Sequence, residues 1–282
     1  MVAEPRTVVI TGGSSGIGLA AAEALARAGD EIVLLGRDPG RLAGAVQRVE
    51  RAGGRAPAAY QADFAVLDEV RRVAAEVGAA HPRIDVLVNN AGALGAWRRA
   101  TVDGFDVTMQ VNHLAGFLLS HLLLDRLKAA SPGPARLITT GSLAEAWGWL
   151  DTDRPVAPLT RYRSRWMAYG ASKQANLLFT IEAARRWAPL GVIPTCFFPG
   201  MVLSRFARTS PLFTLARALP VLFRTPEQAA DTLTWLATAD EALQPGGYFA
   251  SRARITGTPR ATNPDRARRL WEASLAAAGL PA

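Results

Sequence analysis

The stretch TVVITGGSSGIG, Thr7 to Gly18, sets five strand-forming residues directly before a glycine turn and the first residues of a helix. Thr and Val or Ile side chains branch at Cβ and fit a pleated, buried strand. Gly12, Gly16 and Gly18 then follow in the spacing G-x-x-x-G-x-G. Such a turn is tight and lets the backbone approach a pyrophosphate at the N-terminus of the helix that follows. A P-loop is excluded, because that motif closes on a lysine followed by Ser or Thr, and neither lysine of the chain is near. The same letters contain G-x-S-x-G over Gly12 to Gly16, with Ser14 in the place of a hydrolase nucleophile. That reading needs a histidine late in the chain. The last one is His121, and 161 residues follow it (282 minus 121), so the serine would lack its base.

Outward from this unit, short apolar runs alternate with helical stretches along the whole chain. The strand candidates are Thr7–Thr11, Glu31–Leu35, Ala58–Ala62, Asp85–Asn89, Arg136–Thr140, Val192–Phe198 and Gly247–Ala250, separated by Ala-rich segments such as GLAAAEALARAG and EVRRVAAEVGAA. Continuously apolar strands separated by helices predict an α/β fold: a doubly wound parallel sheet of about seven strands with helices on both faces. No repeat or low-complexity linker divides the 282 residues, so a single domain, 1–282, is expected. Thr225-Pro226-Glu227-Gln228 reads as a capping box with proline in the first helical position, and Asn263-Pro264 as a second helix start.

Bulk properties narrow the function classes. With 49% hydrophobic and 20% charged residues the chain can bury a large core, yet no window reaches the ~18 unbroken apolar residues of a membrane span. MVAEPR runs straight into the first strand, which is unlike a signal peptide. The lone Cys196 excludes an internal disulfide, and three histidines with one cysteine give no zinc-like spacing, so no metal is expected. These features predict a cytoplasmic protein. Net charge is +8, but the arginines are spread along the chain and no nucleic-acid motif accompanies them. Of 32 basic residues only Lys128 and Lys173 are lysine, a preference that reads as the GC bias of a bacterial genome. No nucleic-acid partner is expected.

One of those two lysines stands four residues after a tyrosine, in AYGASKQAN, residues 168–176. Ala171, Ala175, Leu178, Ile181 and Ala184 recur at helical steps, predicting a helix over 167–186. Four residues then bring Tyr169 and Lys173 to one face, one turn apart. An ammonium beside a phenol favours the phenolate, so Tyr169 is a candidate acid/base group. A compact ammonium also reaches hydroxyls as a planar guanidinium does not.

Taken together, TGGSSGIG at 11–18, NNAG at 89–92, VNHLAGFLL at 111–119, SLA at 142–144, YGASK at 169–173 and PGMVLS at 199–204 resemble the short-chain dehydrogenase/reductase family, nearest its retinol-dehydrogenase-like branch. The resemblance covers nearly the whole chain and implies a Rossmann-type domain that moves hydride between NADP(H) and a carbonyl or alcohol carbon. It places Asn112, Ser142, Tyr169 and Lys173 on the catalytic tetrad. Ser142 would donate to the substrate oxygen, Tyr169 would give or take the proton, Lys173 would hold the nicotinamide ribose, and Asn112 would interrupt its helix. Cofactor would lie along Gly12, Ser14, Ser15, Gly16, Ile17 and Gly18. Asp63 and Phe64 would flank the adenine, and Asn89, Ala91 and Gly92 the adenosine ribose. Pro199, Gly200, Val202 and Ser204 would meet the nicotinamide. Gly36 stands where NAD-preferring relatives place an acid, and Arg37 follows with a guanidinium suited to a 2′-phosphate.

The sequence departs from the family in three ways. Ser142 precedes Tyr169 by 27 residues (169 minus 142), more than the common spacing. Gly141 replaces a frequent serine, and Ser204 a frequent threonine. Insertions near 145–168 and 201–224 carry aromatics, of which Trp147, Trp149, Trp166, Phe206 and Phe213 are expected to line an apolar pocket for a bulky hydrophobic substrate. A homodimer through HLAGFLLSHLLL and YGASKQANLLF is possible in such a family, with the 145–168 insertion as an obstacle. The competing reading is a non-redox member of the same fold: a cyclase, epimerase, dehydratase or cofactor-sensing regulator.

Overall fold

The computed structural model describes residues 5–94, 99–152, 154, 164–202 and 223–281. Seven parallel strands form the sheet: β1 (Thr7–Thr11), β2 (Glu31–Gly36), β3 (Ala58–Gln61), β4 (Val86–Asn89), β5 (Ala135–Thr140), β6 (Val192–Phe197) and β7 (Gly247–Ala250). They lie in the order β3-β2-β1-β4-β5-β6-β7, and β8 (Ala253–Ile255) adds an antiparallel edge. The helices are α1 (Gly16–Arg27), α2 (Pro39–Gly53), α3 (Leu67–Ala80), α4 (Val107–Met109), α5 (Ala115–Leu122), α6 (Leu124–Lys128), α7 (Arg165–Trp187), α8 (Pro226–Thr238), α9 (Pro259–Thr262) and α10 (Pro264–Ala277).

The period of two along each strand divides the core into two layers. Val8, Ile10, Ile32 and Leu34 point to one face, against α1, α2 and α8. Val9, Val33, Leu35 and Leu137 point to the other, where α3, α5, α7 and α10 pack. Both faces are covered, which is why β1 and β5 are buried at every residue. On the second face α10 lies across α5 and α7. Trp271 stacks on Phe179 at 5.2 Å from Phe117 and 5.1 Å from Trp187 between ring centroids.

β8 is the element the sequence reading missed. It returns from β7 through a two-residue turn, Ser251-Arg252, with both residues left-handed (φ 51° and 62°). Hairpins of this kind are usually flagged by Asn-Gly or Asp-Gly, and Ser-Arg carries no such flag. The turn is held from outside: the Arg252 N–H donates to Thr232 Oγ1 at 3.3 Å and its guanidinium pairs with Asp231 on α8. Both helix starts read from sequence are present. Thr225 and Gln228 make the reciprocal capping bonds of α8, and Asn263 accepts from the Arg266 N–H at the start of α10.

A strand arginine closes the other end of α8. Arg136 on β5 is buried, and its Nη1 donates to the carbonyls of Leu236 and Ala239 at 3.0 and 2.5 Å. Its Nη2 meets Asp240 at 3.1 Å. Burial pulls the guanidinium below its usual pKa, yet the cation satisfies carbonyls that a helix C-terminus leaves without partners. Arg136→Met should therefore destabilise the fold by about 2–4 kcal/mol, seen as a Tm lowered by roughly 5–10 °C. A melting curve within error of wild type would contradict this account.

Candidate active site

The chain reverses its winding between β1 and β4, which are neighbours in the sheet while their following elements cover opposite faces. In such sheets a crevice opens at the C-terminal strand ends. Here it is a cleft of about 740 Å³ running from the glycine turn to Tyr169. Gly12, Ser14, Ser15, Gly16, Ile17 and Arg37 line one end. Thr140, Ser142, Tyr169, Lys173, Pro199, Gly200 and Val202 line the other, and Ala91 and Gly92 lie between.

The glycine turn follows from local sterics. Gly16 opens α1 with φ +57°, a conformation that favours glycine. A Cβ on Gly18 would fall 2.6 Å from the Asn90 amide and 2.7 Å from the Gly12 carbonyl oxygen, so only glycine lets α1 approach Gly12 and Asn90 this closely. Ser15 precedes α1 in extended conformation and makes no side-chain cap. The first amides of α1 are therefore left to a ligand in the cleft, the donor set a pyrophosphate needs. These residues fit a dinucleotide.

At the chemical end, Tyr169 and Lys173 lie on α7 one turn apart, with Lys173 Nζ 5.5 Å from the Tyr169 ring centroid. The lysine is buried and donates to the Thr140 carbonyl at 2.8 Å. Burial lowers its pKa to about 8. Tyr169 is pushed up to about 12, because burial outweighs the hydrogen bond to Ser142 that favours the phenolate. Desolvation is thus the larger influence on the phenol, opposing the pull toward tyrosinate expected of Lys173. Ser142 follows β5 by two residues and its Oγ accepts from the Ala144 N–H at 3.1 Å, leaving the hydroxyl hydrogen to donate.

Asn112 does interrupt its helix, within a π-helical turn, Gln110–Leu114, between α4 and α5. Its amide donates to the Ala93 carbonyl (3.1 Å) and Ser172 Oγ (3.0 Å) and accepts from the Ala93 N–H (2.6 Å). It ties the cleft floor to the helix of Tyr169.

Six expected residues stand elsewhere. Asn89 turns its amide away from the cleft to Ser120 Oγ at 2.8 Å, because successive strand residues face opposite sides. Asn90 takes its place in the cleft wall, donating to the Thr11 carbonyl. Phe64 is buried in the core, and Asp63 stands behind Arg37, whose Nη1 is 3.8 Å from its carboxylate. Gly18 supports the turn from beneath. Trp147 and Trp149 are 58% and 64% exposed and do not line the cleft, since the 3₁₀ turn after Ser142 carries them outward. Trp166 packs edge-on against Tyr169 at 6.4 Å. Ser204, Phe206 and Phe213 lie outside the described residues.

Two features escaped the sequence reading. Arg41, in the first turn of α2, lines the same end of the cleft as Arg37, which precedes that helix. At Gly141, a Cβ would fall 2.8 Å from Cys196 Sγ and 3.0 Å from the Tyr248 ring, which explains the missing serine. His113 is buried and His121 half-buried beneath α10, with pKa values pulled down to about 4 by desolvation, and no histidine is among the described residues lining the cleft. No hydrolase base is present there. Nor do the described residues contain a cluster of metal-ligating side chains.

Comparison with known proteins agrees with the geometry. The family model of the short chain dehydrogenases matches residues 6–152. A Streptomyces sp. (strain C5) protein named "Putative daunorubicin C-13 ketoreductase DnrU" is 46% identical over 275 residues, 97% of this chain and 93% of that one. Human retinol dehydrogenase 13 is 36% identical over 98% of this chain and 86% of its own length. Among solved structures, the Pseudomonas aeruginosa RhlG/NADP active-site complex aligns with a TM-score of 0.70 at 28% identity, covering 86% of this chain and 93% of that one. Matching motifs, the sheet order and the Ser142–Tyr169–Lys173 constellation agree: the chain belongs to the short-chain dehydrogenase/reductase family, within its retinol-dehydrogenase-like branch.

Proposed function

We infer that the protein is an NADP(H)-dependent oxidoreductase that moves hydride between the nicotinamide and the carbonyl or alcohol carbon of a bulky hydrophobic molecule. The observation that carries this is the half-buried Ser142 and Tyr169 with the buried Lys173 at one end of a cleft whose other end holds two guanidiniums. The bound nicotinamide supplies the hydride. The chain does the rest. Ser142 donates a hydrogen bond to the substrate oxygen, Tyr169 hands it the proton, and the Lys173 cation opposes the charge left on the phenol. Arg37 and Arg41 fit a 2′-phosphate, and Gly36 leaves no acid to repel it; a Cβ there would already press on Ser14 at 3.1–3.2 Å. The relatives are named for redox chemistry, and no observation favours the non-redox reading.

The substrate class rests on two supports. One relative's name gives a polycyclic ketone and another's gives retinol. Leu143 and Met201, next in sequence to the cleft residues Ser142 and Gly200, expose apolar surface, where a charged or small substrate would gain little. No described helix is long and apolar enough to cross a membrane; with Cys196 free and buried, a cytoplasmic, bacterial setting remains the proposal.

Four experiments test this reading. With NADPH and a panel of ketones followed by absorbance, polycyclic or long-chain substrates such as daunorubicin should outrun sugars and short hydroxy acids. Tyr169→Phe should then lose about 10²–10⁴ in turnover with NADPH binding nearly unchanged; a variant keeping a few per cent of activity would sink the mechanism. The pH profile of reduction carries its own sign. Tyr169 keeps its proton until about pH 12, whereas the charged form of Lys173 is lost above about pH 8. The rate should be level below that value and fall above it; a profile flat through pH 8 would contradict the role of Lys173. Arg37→Ala should raise the KM for NADPH about 10- to 100-fold, the loss of a charge-assisted bond, and leave NADH nearly untouched. Arg41→Ala should act the same way. Equal use of both cofactors by the wild type would refute this.

A further inference from the structure

We propose that Gln174, Glu145 and Thr258 form a positioning clamp that sets where Ser142 stands against Tyr169, so that the C-terminal part of the chain governs the donor to the substrate oxygen. The proposal rests on the redox reading above and adds residues that do not touch substrate or cofactor.

The need for a clamp comes from the sequence. Ser142 and Tyr169 are 27 residues apart (169 minus 142), and a connection of that length restrains its ends weakly. Something else must hold the segment after Ser142 onto α7. Gln174 does so with every hydrogen-bonding position of its amide. Its Nε2 donates to the Glu145 carbonyl at 3.0 Å and the Gly148 carbonyl at 2.9 Å. Its Oε1 accepts from the Leu150 N–H and from Arg266 Nη2, both at 3.3 Å. The side chain is 1% exposed and follows Lys173 directly. A buried amide satisfied in this way specifies one geometry.

Glu145 supplies the second jaw. It is three residues past Ser142 and buried, with the Ser142 carbonyl accepting from its N–H at 3.2 Å. Its carboxylate accepts from the Thr258 N–H at 2.9 Å and from the Thr258 hydroxyl. Thr258 directly precedes α9, yet its hydroxyl makes no cap there; it serves Glu145 instead. The two jaws close because glycines face each other. A Cβ on Gly148 would fall 2.3 Å from the Gly170 carbonyl carbon, and one on Gly170 2.6 Å from the Ala144 carbonyl oxygen. The Ser142 segment therefore lies backbone to backbone on α7, one residue beyond Tyr169. Misplacing a reacting group by an ångström is costly, and this contact sets that distance.

The test uses the full-length protein, NADPH and the polycyclic ketone that the wild type reduces best. Thr258→Val keeps shape and loses the hydroxyl, Thr258→Ser keeps the hydroxyl, and Gln174→Leu removes the amide. Thr258→Val and Gln174→Leu should lower kcat about 10- to 100-fold, with KM and Kd for NADPH nearly unchanged. Thr258→Ser should retain wild-type kcat. Should Gln174→Leu fail to fold, the threonine pair decides alone. An active wild type indifferent to Thr258→Val would overturn the clamp, as would a kcat loss matched by lost NADPH affinity or shared by Thr258→Ser. A wild type inert toward every ketone would overturn the redox reading and the clamp with it.

Discussion

The last carbonyl of β5 accepts two donors from one helix. Thr140 O takes Lys173 Nζ at 2.8 Å and Asn176 Nδ2 at 3.1 Å, and this pair of bonds docks α7 at the C-terminal end of the sheet. A buried ammonium needs compensation. Here it comes from a carbonyl dipole, not a carboxylate, so burial still lowers the lysine to about 8. A carboxylate partner would raise that value and hold the cation in place. Tyr169 lies one turn earlier on the same helix, Ser142 two residues past the end of the same strand, and the Gln174 clamp one residue beyond the lysine. Each catalytic distance is thus referred to the Thr140 carbonyl.

Much of this was legible because it depends on short-range rules. Most of the parallel strands are apolar runs, and the glycine spacing, the Tyr–Lys step and both proline-marked helix starts are local patterns. The rest depends on what other parts of the chain supply. The Ser251-Arg252 turn is stabilised by Thr232 and Asp231 on α8, which no local signal reveals. Asn89 and Asn90 are neighbours with equal chemistry, and strand parity alone decides that the second faces the cleft. Gln174 reads as one polar residue on a helix until the 145–150 segment is laid over it. The proximity of Tyr169 and Lys173 was readable, but the desolvation acting on the pair was not, since spacing on a helix reports proximity and says nothing of burial.

The second helical layer bears on how chains could associate. α5 and α7 carry the segments through which pairing was considered, and α10 covers them within one chain. Trp271 fills the space between Phe117, Phe179 and Trp187, with the Arg186 guanidinium 4.9 Å from its ring centroid. A dimer using that part of the surface would have to displace α10 and expose a tryptophan that is 3% accessible. The same layer explains the two histidines beneath it, His113 and His121. His121 gives Nδ1 to the Phe117 carbonyl and sits among aromatic rings, so it packs as a neutral ring far from the chemistry.

Burial at the site acts on Tyr169 and Lys173 in opposite directions. It raises the phenol to about 12 and lowers the ammonium to about 8, in each case toward the uncharged form. At neutral pH the outcomes nevertheless differ: Tyr169 keeps its proton, and Lys173 keeps its charge. The resting site is therefore a phenol ready to give a proton, with a cation beside it to meet the charge that the transfer leaves. Water would screen that cation, and excluding water makes its field stronger at the phenol oxygen. The desolvation that disfavours tyrosinate in the resting protein is thus the same condition that strengthens the lysine's hold on it once the proton has moved.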